Sequence, residues 1–167
     1  MDSALGKGSV FRVFIPRSDA LSEEEHERAG DSSVKGEAGS AARVLFVDDE
    51  KALARLGLRY LERHGYCVEA CTDSCTALER FQAQPHHFDI IVTDQIMPGM
   101  TGLELAKKAL QIRENIPIIL CSGYSERITE AELSSSGVQR YLRKPITDAA
   151  LVKAIQGVLK DAAWRGN

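Results

Sequence analysis

The chain has 167 residues, of which 44% are hydrophobic and 27% charged, with a formal net charge of -3. No apolar run approaches the roughly 20 residues that span a bilayer, and no signal-peptide pattern opens the chain, so we expect a cytoplasmic protein without membrane contact. Residues 41–167 carry sixteen acidic and sixteen basic side chains, and a neutral body without basic clusters argues against nucleic-acid binding.

The first 42 residues differ in composition from the rest of the chain. Gly6, Lys7 and Gly8 predict a turn, and Val10 to Ile15 predict a strand. Residues 17–40 contain almost no large apolar side chains and carry a net charge of -4. Such a segment buries too little surface to offset the entropy of ordering it, so we predict a flexible acidic linker.

From Arg43 onward, short apolar runs alternate with segments of helical periodicity. Five strands alternating with five helices indicate a doubly wound parallel sheet. The first, third and fourth strands are apolar throughout and are expected at the centre, whereas the second and fifth are mixed and are expected at the edges. These conditions predict a flavodoxin-like three-layer α/β/α fold with strand order 2-1-3-4-5. The predicted strands are 44–47, 66–71, 89–93, 116–121 and 138–142, and the predicted helices are 50–64, 73–83, 102–113, 125–135 and 147–161.

Three of the four cysteines follow one another at a spacing of four residues. Cys67, Cys71 and Cys75 have the spacing of a helical metal site, but the segment from 67 to 71 favours a strand, and no CxxC pair accompanies it. We therefore expect buried or half-buried thiols in a reducing compartment.

Polar side chains follow four of the five predicted strands. Asp48 and Asp49 follow the first, Asp94 the third, Ser122 the fourth and Lys144 the fifth. Parallel strands end at the same edge of a sheet, where ligands of doubly wound folds bind. Three carboxylates repel one another unless a cation lies between them, and oxygen ligands without sulfur or imidazole suit Mg²⁺.

A carboxylate in such a site can attack phosphorus and form an aspartyl phosphate. Mg²⁺, the Lys144 ammonium and the Ser122 hydroxyl would then neutralise the phosphoryl oxygens. Each residue also has a simpler interpretation: an aspartate or Ser122 as a helix cap, Lys144 as a surface charge. The simpler interpretations do not explain why all of these residues follow strands of one sheet.

The motifs "VLFVDDE", "IIVTDQIMPGMTG", "IILCSGY" and "YLRKP" resemble, in order and spacing, the receiver domain of two-component response regulators across residues 43–161. The resemblance implies that Asp94 is the phosphoacceptor. It further implies that Asp49 binds Mg²⁺ directly, that Asp48 binds it through water, and that the Ile96 backbone carbonyl completes the protein ligands.

The same resemblance implies a conformational switch. Ser122 and Tyr141 match the pair in which the hydroxyl moves toward the phosphoryl group and the ring turns inward, and the Lys144–Pro145 bond is expected to be cis. Serine stands where threonine is commoner. The expected output surface is the face formed by residues 125–135, the fifth strand and residues 147–161, which is also a candidate dimer interface.

Residues 3–17, "SALGKGSVFRVFIPR", are similar to the last glycine-rich turn and terminal strand of the ATP-binding domain of sensor histidine kinases. The two resemblances together imply the receiver end of a hybrid histidine kinase. The implied partners are a kinase phosphohistidine and a histidine phosphotransfer protein or downstream regulator. The implied organisation is a kinase remnant at 1–17, a linker at 18–42, a receiver domain at 43–161 and a tail at 162–167.

Two alternatives remain open. The first alternative is a stand-alone response regulator whose N-terminal residues are irrelevant to function. A Mg²⁺-dependent phosphohydrolase of similar topology is disfavoured, because it requires a second acid two residues after the nucleophile, where this chain has Ile96.

Overall fold

The computed structural model describes residues 2–4, 8–10, 41–123, 129 and 135–165. The chain divides into two units, Met1–Ala38 and Gly39–Asn167. Among the described residues, no helix is both long enough and apolar enough to cross a bilayer.

The first unit contains a two-stranded antiparallel sheet. Strand β1 (Asp2–Ala4) pairs with β2 (Gly8–Val10). The sequence did not predict β1, and Gly8 lies in a strand instead of the predicted turn. The remainder of the predicted strand up to Ile15, and nearly all of the predicted linker, lie outside the described residues.

The second unit is built around a five-stranded parallel sheet. The sheet order is β4-β3-β5-β6-β7, which is the predicted order 2-1-3-4-5, and the doubly wound fold is confirmed. Its strands are β3 (Arg43–Val47), β4 (Cys67–Cys71), β5 (Ile90–Asp94), β6 (Ile118–Ser122) and β7 (Arg140–Arg143), and the described helices are α1 (Lys51–Arg63), α2 (Ser74–Ala83), α3 (Gly102–Ile112) and α4 (Asp148–Arg165).

Alternating side chains of the central strands enter two separate cores, one on each face of the sheet. Leu45 and Ile91 pack with α2 and α3 on one face, and Phe46 and Val92 pack with α1 and α4 on the other. Every residue of β5 and β6 is buried, whereas the edge strands β4 and β7 are mostly half-buried or exposed. This burial explains why the central strands are apolar throughout.

The start of one strand differs from the prediction for an identifiable reason. The strand predicted from Ile116 begins at Ile118, after Pro117, which has no N–H to donate to a sheet. Of the helix predicted at 125–135, only Thr129 and Ser135 are described, and Ser135 is helical.

The helical spacing of apolar residues predicts one buried face on α1, formed by Leu53, Leu56, Gly57, Tyr60 and Leu61, and the structure does not bury all of it. Leu56 is 58% exposed, whereas Gly57 is buried and faces Phe46. A Cβ at position 57 would lie 2.6 Å from the Phe46 ring. The helix therefore contacts the sheet through a glycine, and the larger leucine beside it points toward solvent.

The thiols also depart from expectation. Cys71 and Cys121 are buried, but Cys67 and Cys75 are exposed, and all four are free. Cys67 and Cys71 lie in strand β4 and not in a helix, as predicted.

Candidate functional site

The polar residues that follow the strands meet at the carboxyl edge of the parallel sheet. Asp94 and Ser122 are the last residues of β5 and β6, while Asp48 and Lys144 directly follow β3 and β7. Asp48, Asp94 and Ser122 are all buried. Buried carboxylates are costly unless a cation compensates them, so the arrangement indicates a site built to hold positive charge.

Lys144 joins the two buried carboxylates. Its Nζ atom lies 3.0 Å from Asp48 Oδ2 and 2.7 Å from Asp94 Oδ1. Burial alone lowers the pKa of Lys144, but the hydrogen bonds and charges of Asp94 and Asp48 outweigh it and raise the pKa to about 12. The lysine is therefore a permanent ammonium at neutral pH.

Replacing Lys144 by methionine should lower the free energy of unfolding by about 2 kcal/mol at neutral pH, because two buried acids lose their counter-charge. The folded-state pKa of about 12 exceeds the ordinary value of 10.5. The contribution of the lysine is thus fully present below pH 10.5 and is lost as the pH rises through 12. Denaturant titrations of both proteins over this range should show the difference shrinking.

Lys153→Met, which removes an exposed lysine of α4, is the matched control. Its free energy of unfolding should equal that of the wild type at neutral pH, and the difference should stay near zero as the pH rises. A wild-type and Lys144→Met difference that stays constant up to pH 12 would contradict the ion-pair assignment.

The adjacent acids Asp48 and Asp49 lie in different surroundings. Asp48 is buried, and its Oδ1 also accepts a hydrogen bond from the Glu50 amide at 3.0 Å. Asp49 is exposed and does not line the cavity that contains Asp48 and Asp94. Of the two, Asp48 is the acid that contacts Lys144.

The donors at this edge are chemically suited to Mg²⁺. Within residues 41–123, 129 and 135–165, no three acidic, histidine or cysteine side chains are arranged to hold a metal by themselves. Mg²⁺ needs fewer protein ligands than that, since it usually keeps several waters and takes one or two carboxylates. Asp48, Asp94 and the backbone of Ile96, two residues after Asp94, supply only oxygen donors and fit this requirement.

Ser122 and Tyr141 form one hydrogen-bonded unit beside Asp94. The Tyr141 hydroxyl donates to Ser122 Oγ at 2.7 Å, and Ser122 Oγ donates to the Gly123 carbonyl at 3.3 Å. Ser122 is fully buried and Tyr141 is half-buried. A displacement of the serine hydroxyl must therefore change the position or the bonding of the tyrosine ring. The Lys144–Pro145 peptide bond at the same edge is cis.

An apolar cavity of about 520 Å³ opens beside the acids, between α1 and α4. Leu53 and Tyr60 line one wall and Ile146 and Leu151 the other, with Asp94 among the lining residues. Cys121 also lines it, but burial raises the pKa of its thiol to about 12. The thiol is thus neutral at physiological pH and is not the thiolate that nucleophilic attack requires.

Two contributors to this edge were missed from the sequence. The carbonyl and side chain of Gln95 accept hydrogen bonds from the first residues of α3, and Gly102 packs against the backbone of Asp94. One signal was available: Thr101 and Glu104 have the T-x-x-E spacing of a capping box, which marks where α3 begins, and the structure forms that box.

Known proteins resemble both the sequence and the fold. The family model for the response regulator receiver domain matches residues 44–156. Sensor kinase CckA of Brucella abortus is 32% identical over 95% of this chain, which spans only 17% of that kinase. The response regulator receiver protein CpdR of the same organism is 30% identical over 70% of this chain and 96% of its own length. A receiver domain from Clostridium thermocellum superposes with a TM-score of 0.70 at 25% identity, covering 74% of this chain and 98% of that domain.

Proposed function

This chain belongs to the response regulator receiver family, and on that premise we propose that it accepts a phosphoryl group on Asp94 in a Mg²⁺-dependent reaction. The observation that carries the proposal is the buried pair of Asp48 and Asp94 with the Lys144 ammonium 2.7 Å from Asp94 Oδ1. This contact supports a role for the Asp94 carboxylate as a nucleophile beside a fixed positive charge.

The chemistry follows from these positions. An oxygen of the Asp94 carboxylate attacks phosphorus, and a P–O bond forms while the P–N bond to a donor phosphohistidine breaks. The donor imidazole leaves with the bonding electron pair. Lys144 and the Ser122 hydroxyl neutralise phosphoryl oxygens as charge develops on them. Asp94, Asp49 and the Ile96 carbonyl would hold Mg²⁺ directly and Asp48 would hold it through water, and the bound metal would supply further neutralisation.

Phosphorylation is proposed to be transmitted through Ser122 and Tyr141. A phosphoryl group on Asp94 adds charge and acceptor oxygens that attract the Ser122 hydroxyl. Since that hydroxyl accepts the Tyr141 hydrogen bond, its movement changes the surface of β7. The neighbouring face, with α4 and residues 125–135, is the proposed contact for a downstream regulator, a phosphotransfer protein or a second copy. Most of residues 125–135 lie outside the described part of the chain.

We also propose that the chain is the receiver end of a hybrid histidine kinase. The similarity to sensor kinase CckA covers 95% of the chain, whereas the similarity to CpdR covers 70%. An alignment restricted to residues 43–167 could not cover 95% of the chain, so the similarity to CckA includes part of residues 1–42. This difference supports the assignment of 1–17 as a kinase remnant, 18–42 as linker, 43–161 as receiver and 162–167 as tail. A stand-alone regulator is the alternative.

The function is tested by incubating the chain with a small acyl phosphate. Intact-mass analysis should show one added phosphoryl group with Mg²⁺ present and none when the metal is chelated. Equal labelling with and without Mg²⁺ would contradict the proposal.

The apolar cavity provides a separate prediction about the phosphodonor protein. Leu56 is 58% exposed and lines the cavity that reaches Asp94, so a partner that delivers phosphate should bury it. Leu56→Ala should slow transfer from a phosphohistidine protein about tenfold, which is the loss expected when a side chain that anchors an interface is truncated. It should leave labelling by acyl phosphate unchanged. Quenched-flow transfer assays measure the first rate and mass spectrometry the second.

Glu62→Ala is the control, because Glu62 is exposed on the same helix and does not line the cavity. Equal transfer rates for Leu56→Ala and wild type would exclude this docking surface.

A further inference from the structure

The loop between β5 and α3, residues 95–101, is held at both ends by one residue. The Gln95 amide donates to the Cys121 carbonyl in β6 at 2.8 Å, and the Gln95 carbonyl accepts from the Gly102 amide at 3.0 Å. The Gln95 side-chain oxygen accepts from the Leu103 amide at 3.1 Å. Gln95, the residue after the proposed phosphoacceptor, is therefore hydrogen-bonded both to the neighbouring strand and to the start of α3.

These contacts meet a requirement of the helix. The first amides of an α-helix have no partner within it and must find acceptors elsewhere. The Glu104 amide donates to Thr101 Oγ1 at 3.2 Å, and the Thr101 amide donates to Glu104 Oε2 at 2.8 Å. Gln95 satisfies the two amides between them, those of Gly102 and Leu103. The beginning of α3 is thus capped by an outer pair and, separately, by Gln95.

The two caps differ in what they hold. Thr101 and Glu104 bond each other within the first turn of α3, whereas Gln95 bonds across the loop that contains Ile96. Gly102 packs so closely on Asp94 that a Cβ there would lie 2.7 Å from Leu120 Cδ1 and overlap the Asp94 carbonyl oxygen. Loss of the Gln95 side-chain acceptor would remove one of the two hydrogen bonds between Gln95 and the start of α3, leaving the backbone bond to Gly102, while loss of the outer pair would leave both of them in place.

We propose that Gln95 is a positioning residue for the Mg²⁺ site: its side chain fixes the 95–101 loop, and so the Ile96 carbonyl, relative to Asp94. The inference rests on the proposed function, because it concerns the metal ligand set assigned there. Partners that orient metal ligands typically change metal affinity 10- to 100-fold when they are removed.

The test measures Mg²⁺ affinity directly, without phosphorylation. Mg²⁺ titrations of the full chain, followed by amide chemical shifts, should give an affinity about tenfold weaker for Gln95→Met, which keeps the length and removes the acceptor. Gln95→Glu keeps an acceptor oxygen at the same reach and should bind Mg²⁺ at least as tightly as wild type. Thr101→Ala removes the outer cap and should leave Mg²⁺ affinity unchanged while lowering stability. Hydrogen exchange of the Leu103 amide should accelerate in Gln95→Met and stay slow in Gln95→Glu.

Each outcome decides the matter. Equal losses of Mg²⁺ affinity in Gln95→Met and Thr101→Ala would show a general effect of fraying α3 and overturn the positioning role. Wild-type affinity in Gln95→Met would overturn it as well, with the proposed function intact. If wild type itself binds no Mg²⁺, the proposed function and this inference fail together. Should Gln95→Met not fold, Gln95→Asn serves instead, because its shorter side chain falls short of Leu103.

Discussion

Asp94→Asn is expected to abolish uptake of a phosphoryl group from an acyl phosphate. The wild-type chain should gain one group in the presence of Mg²⁺, and the variant none. An amide has nearly the same shape as a carboxylate but is a poor nucleophile and lacks the charge that attracts a cation, so the fold should persist while the reaction stops. Asp94 is buried and lies 2.7 Å from Lys144 Nζ, and it is the acid that the proposed function assigns as the nucleophile. Intact-mass analysis of both proteins measures the result.

The control for this experiment is Asp161→Asn, which neutralises an exposed acid of α4 and should label like wild type. ATP offered alone should label neither protein, since the proposed kinase remnant at residues 1–17 is too short to enclose a nucleotide. Equal labelling of Asp94→Asn and wild type would show that another residue is the acceptor.

The fold was predictable because central and edge strands differ in burial, and this difference is visible in how polar their sequences are. Strands β5 and β6 are buried along their whole length, and their sequences contain no polar face. Strand β4 is half-exposed and includes Glu69, which identifies an edge. Strand order follows from these differences together with the ordinary rules of parallel crossovers.

The site was predictable as a cluster, but its contacts were not. The position of Asp48, Asp94 and Lys144 after parallel strands was enough to bring them to one edge of the sheet. Asp48 is buried and Asp49 is exposed. This difference, and the choice of the oxygen that Lys144 contacts, depend on side-chain packing between residues up to 96 positions apart. Sequence spacing contains no information at that distance. The predicted metal ligands, including the roles of Asp49 and the Ile96 carbonyl, therefore stay predictions.

Helix α1 shows the same limit in the core. Periodicity groups Leu53, Leu56 and Gly57 on one apolar face, and the structure buries Gly57 and exposes Leu56. The choice depends on the Phe46 ring, which occupies the space where a side chain at 57 would lie. A helical pattern identifies the face but not which residue at its margin is covered.

A second large effect is expected from adding one methyl group at the start of α3. In Gly102→Ala the new Cβ would overlap the Asp94 carbonyl oxygen and lie 2.7 Å from Leu120 Cδ1. The obstacle is strand backbone, which cannot rotate away as a flexible side chain can, so the helix or the strand end must shift. We expect the free energy of unfolding to fall by about 2–3 kcal/mol. Phosphoryl uptake should slow as well, because the displaced backbone belongs to Asp94, the proposed phosphoacceptor.

Gly157→Ala is the matched control, since it makes the same substitution inside α4. There the added Cβ would meet only Arg140 Nη2, at an ordinary contact distance of 3.5 Å. Alanine is the better helix former, so this variant should gain about 0.5–1 kcal/mol and label like wild type. Denaturant unfolding of the two variants should therefore move the midpoint in opposite directions. If Gly102→Ala unfolds and labels as wild type does, the close approach of α3 to Asp94 does not constrain the site.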